Sequence, residues 1–273
     1  MADVAPAVLI TGATSGLGRY LAGQLASSGW QVLAHGRDQA RVADLSAELG
    51  GGARGFVADL ASLSDVRDLA ARIKAEVPRL DVLVNNAAVG FGAPGEGRQV
   101  SADGHELRFA VNYLAPVLLT RLLVPLLTAS APSRVLNVGS IGQVAFDPAE
   151  AEFEHGYQGV VAYRRSKLAL AAFTFDLAGE LETAKVTVNC SHPATLMNTA
   201  MVSRAGINPV STLEQGGEAT MRLITDPALD RVTGQFFDGL KTARARPEAY
   251  DPQFRAKLRE VTDRMLGDAS LTS

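Results

Sequence analysis

The sequence predicts an α/β fold: a doubly wound, seven-stranded, mainly parallel sheet with helices on both faces. Three observations predict it. Short β-rich apolar runs alternate with longer segments of helical period along the 273-residue chain. Runs such as Val82 to Val84 are continuously apolar rather than alternating, as expected of strands covered on both faces. The first run leads into a glycine-rich turn that opens a helix, the place where a parallel α/β sheet receives a phosphate.

In chain order, the strand candidates are Ala7 to Thr11, Gln31 to Ala34, Arg54 to Ala58, Asp81 to Asn85, Arg134 to Val138, Val186 to Cys190 and Gln235 to Phe237. Between them, Gly16 to Ser28, Asp38 to Leu49, Leu63 to Val77, Asp103 to Leu127 and Ala162 to Leu181 carry apolar residues at helical spacing. Right-handed crossovers then distribute these helices over both faces. A last amphipathic helix is expected over Asp251 to Leu266, with Phe254, Leu258, Val261 and Met265 on its apolar side. Gly90 to Gly104 reads as an irregular connection. Leu114 to Leu127, interrupted by Pro116, Arg121 and Pro125, reads as a buried helix too short for a comfortable membrane span. With 47% hydrophobic residues and no linker or repeat, residues 1–273 are expected to share one core and one domain.

The formal net charge is −3 and the basic residues are scattered, so neither nucleic acid nor an anionic membrane is the expected partner. A small molecule is. Cys190 is the only cysteine, which excludes an intramolecular disulfide, and Met1 to Pro6 show neither a basic region nor a long apolar run. A cytoplasmic location is expected. No Cys/His cluster has ligand spacing, so His155 and His192 are read as structural or exposed, and no metal is expected.

Thr11-Gly12-Ala13-Thr14-Ser15-Gly16-Leu17-Gly18 brings backbone N–H groups and a helix N-terminus to one spot. Gly12, Ser15, Gly16, Leu17 and Gly18 are therefore candidate pyrophosphate contacts. Where folds using NAD place an acid after the second strand, this chain has Gly36 and then Arg37. Arg37, with Arg19 as a possible neighbour, suits a 2′-phosphate and favours NADP(H) over NAD(H). The competing reading makes Arg37 a solvated charge and Asp38 a helix cap. Asp81 is read as a strand-starting carboxylate that ties down backbone. Tyr163 and Lys167, four apart in a helical segment, share one face. An ammonium there, together with an oxidised nicotinamide, would lower the phenol's pKa from about 10. Taken alone, the pair reads more readily as packing plus a solvated lysine than as catalysis.

The glycine turn, Asn85-Asn86-Ala87-Ala88, Phe109-Ala110-Val111-Asn112, Asn137-Val138-Gly139-Ser140 and Tyr163-Arg164-Arg165-Ser166-Lys167 occur in this order. Together they resemble the short-chain dehydrogenase/reductase family over nearly the whole chain. The resemblance implies a Rossmann-type fold and a catalytic set of Asn112, Ser140, Tyr163 and Lys167. Tyr163 would act as general acid in reduction and base in oxidation, Lys167 would bind the ribose and tune Tyr163, Ser140 would position the substrate oxygen, and Asn112 would support a water-linked proton path. It also implies cofactor contacts from Asp59 and Leu60, Asn86 and Ala87, Tyr163 and Lys167, and Pro193 and Thr195. Ala194 departs from the family's usual glycine, and Asn198 and Thr199 stand where one threonine is usual, which leaves the nicotinamide contact open by a residue. Turn or capping roles remain open for Ser140, Asn112 and Asp59.

The long connection at about 143–161, with Asp103-Gly104-His105-Glu106, resembles the retinol-dehydrogenase-like and carbonyl-reductase-like branches. In some such relatives the insertion covers an oligomerisation surface, so monomer and homo-oligomer both remain open. A lid is expected at about 194–213. The expected function is NADPH-dependent hydride transfer between nicotinamide and a ketone or aldehyde, or the corresponding alcohol, of apolar or aromatic character. The alternatives are a non-catalytic NADP(H)-binding regulatory protein and an epimerase or lyase on the same fold.

Overall fold

A computed structural model describes residues 5–93 and 95–267, so the first four residues read for a leader lie outside the described part. Strands β1 (Ala7–Ile10), β2 (Gln31–Gly36), β3 (Arg54–Val57), β4 (Val82–Asn85), β5 (Ser133–Val138), β6 (Val186–His192), β7 (Phe236–Asp238) and β8 (Lys241–Ala243) form one sheet in the order β3-β2-β1-β4-β5-β6-β7-β8. All neighbours run parallel except β7 and β8. The sheet thus has eight strands rather than seven. The addition is a three-residue hairpin arm, closed by Gly239 at φ 56°, too short to show a period of two.

Helices α1 (Gly16–Ser27), α2 (Gln39–Leu49) and α8 (Leu213–Thr225) cover one face; α3 (Leu63–Glu76), α5 (Ala115–Ala129) and α6 (Gly159–Glu180) cover the other. Leu9, Leu33 and Leu83 pack to the second face, Val8, Ile10 and Val84 to the first, so successive residues feed opposite layers. That two-sided burial is what the unbroken apolar runs encode. No sequence expectation covered α8. Its first turn is closed by a capping box between Thr212 and Gln215, a pair of bonds worth about 1 kcal/mol.

The helix expected from Asp103 begins later, at α4 (Leu107–Phe109), because the Glu106 carboxylate accepts the Phe109 N–H at 2.7 Å and caps it. It continues as a π turn, Ala110–Leu114, into α5, which Pro116 enters in its first turn. The combined Leu107–Ala129 run of 23 residues is long and apolar enough, by length and composition, to cross a membrane, which corrects the shorter span read from Leu114 to Leu127. In the fold, 72% of its most apolar window is buried.

Short α7 (Ala200–Arg204) lies in the segment expected as a lid, where Met197 pairs with Ser211. The final helix α9 (Pro252–Leu266) packs across the π turn, α5 and α6 through Tyr113 to Thr262 at 2.7 Å, Arg121 to Asp263 at 2.6 Å, and Asp176 to Arg255 and Arg259, both at 3.0 Å. At the same end His105 bridges the insertion and α9: Nδ1 faces Glu152 at 2.6 Å and Nε2 faces the Met265 carbonyl at 3.0 Å. Two acceptors favour the imidazolium, and the bond to Glu152 raises the His105 pKa above its usual value. Asp81 accepts the Ala7 N–H at 2.8 Å and so ties β1 to the start of β4.

Candidate active site

The chain order of the sheet reverses beside β1, and the turns after β1 and β4 lie side by side at its carboxyl edge. Thr11 Oγ1 accepts the N–H groups of Asn86 at 2.9 Å and Ala87 at 3.0 Å, and Asn86 Nδ2 donates to the Thr11 carbonyl at 2.8 Å. The turn is therefore preformed. Gly12 takes φ 66° and Gly16 φ 51°. A Cβ at Gly12 would lie 2.9 Å from the Ala87 Cα, and one at Gly18 would lie 2.3 Å from the Gly12 carbonyl oxygen. These two backbones touch because neither carries a side chain. Ser15 is exposed at the N-cap of α1, and Leu17 is buried beneath it.

His35, which sequence reasoning passed over, ties the turn to β2 and β3. Its Nδ1 accepts the Gly12 N–H at 3.2 Å, and its Nε2 lies 3.1 Å from the Ala58 carbonyl. Burial lowers its pKa to about 4, so the ring is neutral and carries its proton on Nε2. A Cβ at Gly36 would stand 2.7 Å from Thr14 and 2.8 Å from Val42, which explains why the acid-bearing position of NAD-using folds is empty. Arg37 is exposed and makes no hydrogen bond or ion pair among the described residues. Arg19, the possible second phosphate contact, is instead paired with Glu48 on α2. Asp38 caps α2 through the Arg41 N–H at 3.1 Å. Asp59 accepts the Ala61 N–H at 2.9 Å and so closes the turn before α3, whose N-cap is Ser62, not Asp59, while its neighbour Leu60 is buried.

At the ends of β4, β5 and β6 a buried polar row crosses the sheet in register, Asn85 against Asn137 and Asn137 against Cys190. Asn85 donates to Asn137 at 2.8 Å and to Thr120 at 2.9 Å, and Asn137 donates to Thr174 at 2.9 Å. The row locks β4 and β5 to α5 and α6 just beneath Ser140 and Tyr163. Gly139 lacks a side chain because a Cβ there would come within 2.5 Å of the Cys190 sulfur.

Ser140, Tyr163 and Lys167 are all buried at this edge. Ser140 Oγ accepts the Gly142 N–H at 3.0 Å, and Gln143 holds the same loop through the Ser140 carbonyl at 2.8 Å and the Arg246 N–H at 2.9 Å. Burial pushes the Tyr163 phenol up to about 12, with the nearby Ser140 hydroxyl opposing it. Lys167 Nζ donates to the Val138 carbonyl at 2.8 Å and sits 5.6 Å from the Tyr163 ring centre; burial lowers it to about 8. The expected ammonium-driven fall in the phenol's pKa is not found: burial raises the phenol, and Lys167 is directed to the Val138 carbonyl.

Asn112 lies in the π turn, where its amide oxygen accepts the Val89 N–H at 2.7 Å and its nitrogen donates to the Val89 carbonyl at 3.0 Å and Ser166 at 3.1 Å. All its side-chain groups fasten the loop after β4 to α6. Pro193 is buried after β6; Thr195 is exposed and bonds His192 at 3.0 Å, whereas Thr199 packs where a Cβ on Gly16 would lie 3.4 Å from its methyl. Of the two threonines, Thr199 is the one against the glycine turn.

A sequence profile described as short chain dehydrogenase matches residues 6–208. The chain belongs to the short chain dehydrogenase family. Within it, the chain is 36% identical to retinol dehydrogenase 14 of Mus musculus, across 95% of this chain and 85% of that protein. That places it in the retinol-dehydrogenase-like branch. Solved structures similar to it include a short chain dehydrogenase from Escherichia coli CFT073 complexed with NADPH, at TM-score 0.70 and 27% identity over 86% of this chain and 97% of that one. Another is 3-ketoacyl-(acyl-carrier-protein) reductase from Brucella melitensis complexed with NADH, at TM-score 0.70 and 25% identity over 85% and 96%.

Among the described residues, no group of three His, Cys, Asp or Glu is placed to hold a metal ion. The residues that sequence reasoning missed, His35, Gln143 and Ser166, support the site through partners distant in the chain. Only the position of His35, next to Gly36 at a strand end, carried any local signal.

Proposed function

We propose that this chain is an NADP(H)-dependent oxidoreductase acting on an apolar ketone, aldehyde or alcohol, with Tyr163 as its general acid and base. The observation that carries the reading is the meeting of Tyr163, Ser140 and Lys167 in one buried cluster at the sheet edge that also bears the glycine turn. The close backbone approaches at Gly12 and Gly18 fit a pyrophosphate, and Arg37, unpaired among the described residues and beside side-chain-free Gly36, fits a 2′-phosphate. Gly12, Ser15, Gly16, Leu17, Gly18, Asn86 and Ala87 would hold the dinucleotide, with Arg37 selecting its phosphate and Asp59 and Leu60 flanking the adenine. When bound, NADPH supplies the hydride.

For reduction, the substrate oxygen sits between the Ser140 hydroxyl and the Tyr163 phenol. Ser140 donates a hydrogen bond that polarises the carbonyl, and Tyr163 gives its proton to the oxygen as charge develops there. A phenol held near 12 is protonated through neutral pH, the form that reduction requires. Lys167 supplies a positive charge that steadies the phenolate left behind, and Asn112 keeps α6 against the loop after β4. For oxidation the same groups run in reverse. The apolar substrate is supported by Phe91, whose ring packs on Tyr163 at 4.7 Å, and by Met201 against Gly90. The segment at 194–213 is proposed to close over that substrate.

Arg37→Asp tests the cofactor assignment. Losing charge-assisted bonds worth about 1.5–3 kcal/mol should weaken NADPH binding by roughly 10–100-fold in a fluorescence titration and leave NADH nearly unaffected. Equal losses for both would remove Arg37 from the phosphate site.

A further inference from the structure

Arg108 has the largest side chain among the fully buried residues, at 0% exposure. An arginine so placed is costly unless paired. Its Nε donates to the Gly90 carbonyl at 2.8 Å and its Nη1 to the Tyr157 hydroxyl at 2.5 Å; that hydroxyl donates in turn to Glu106 at 2.8 Å. Glu106, also buried, balances the charge at 3.7 Å, and its other oxygen caps α4. Three segments meet on one guanidinium: the loop after β4, the insertion before α6, and α4 itself.

The neighbouring backbone is shaped around it. A Cβ at Gly92, where φ is 83°, would lie 2.4 Å from Arg108 Nη2. A Cβ at Gly159, the first residue of α6, would lie 2.3 Å from the Phe91 carbonyl oxygen and 3.1 Å from Arg108 Nη2. Phe91 is thus pinned between Gly90 and Gly92, with its carbonyl against the start of the helix that bears Tyr163. Its ring meets the Tyr163 ring edge to face, at 4.7 Å and 72°. On its other flank, Gly90 abuts Met201 of α7.

We propose that Phe91 is a specificity-determining residue, forming the wall that a substrate's substituent meets beside Tyr163, and that Arg108 is the positioning residue that holds this wall. The proposal rests on the oxidoreductase reading and names what limits its substrate. A loop without secondary structure has few backbone bonds of its own, so a multidentate cation reaching three segments gives one position to a ring that must face a reacting carbon. Phe91→Ala opens the wall, and an arginine clamp that fails lets the ring drift.

The test uses the full chain with NADPH and a series of ketones of increasing width. Phe91→Ala is expected to raise the ratio of kcat/KM for wide over narrow ketones by about tenfold, the scale set by a changed apolar pocket, mainly through KM. NADPH affinity by fluorescence and the melting temperature should stay near wild type. If the wild type turns ketones over and Phe91→Ala leaves the ratio unchanged, this inference alone is overturned; a wild type that binds NADPH and reduces no carbonyl overturns the oxidoreductase reading with it. Arg108→Lys offers one point of attachment where arginine has several, and Tyr157→Phe removes only the bridging hydroxyl. Both should shift the ratio in the same direction as Phe91→Ala. A lowered melting temperature with the ratio unmoved in both would make Arg108 a brace and overturn its positioning role.

Discussion

Tyr163→Phe is expected to lower carbonyl reduction by about 10²–10⁴-fold, the usual contribution of a positioned proton donor, while NADPH affinity stays within about twofold of wild type. The substitution deletes one oxygen from a ring that is 8% exposed and packed on Phe91, so the apolar contacts survive. What disappears is the phenol proton beside Ser140 that would go to a developing alkoxide, while Lys167 donates to the Val138 carbonyl. The loss should therefore fall on kcat rather than KM, as for an interaction made in the transition state. Turnover within a few-fold of wild type would assign the proton to another donor.

Gly18→Ala is expected to weaken dinucleotide binding by roughly 10–100-fold, because overpacking by about 1–3 kcal/mol must displace the Gly12 carbonyl that shapes the turn. The added carbon would stand 2.3 Å from that oxygen and 2.6 Å from Asn86 Nδ2, and neither neighbour is free: Asn86 already bonds the Thr11 carbonyl. Gly23→Ala supplies the control. It lies in the same helix with nothing within 4 Å of its added Cβ, and should stabilise α1 by about 0.5–1 kcal/mol without touching binding. Equal NADPH affinity in the two variants, by fluorescence titration, would separate the turn from the cofactor.

The central sheet and the motif positions were legible because both are local. Continuous apolar runs encode two-sided burial, and the glycine turn, Asn86, Ser140 and Tyr163 stand at strand or helix ends that those runs define. What escaped was set by distant partners. The α8 pattern is broken by Gly216 and Gly217, yet these glycines exist because Met197 and Tyr20 pack there, each 2.2 Å from where a Cβ would be. Gln143 reads as an ordinary loop amide until Arg246 comes beside it in the fold. Arg108 reads as a solvated charge until Gly90, Tyr157 and Glu106 surround it. The Tyr163–Lys167 spacing was legible, but not the desolvation that raises the phenol or the Val138 carbonyl that takes the ammonium.

Isotope tracing tests the central claim most directly. With NADPH deuterated at the transferred position and an apolar ketone, the wild-type chain should yield an alcohol bearing deuterium on its carbinol carbon, while the hydroxyl proton comes from solvent by way of Tyr163. An alcohol without the label, or conversion of the substrate with no NADPH consumed, would contradict direct hydride transfer at this site.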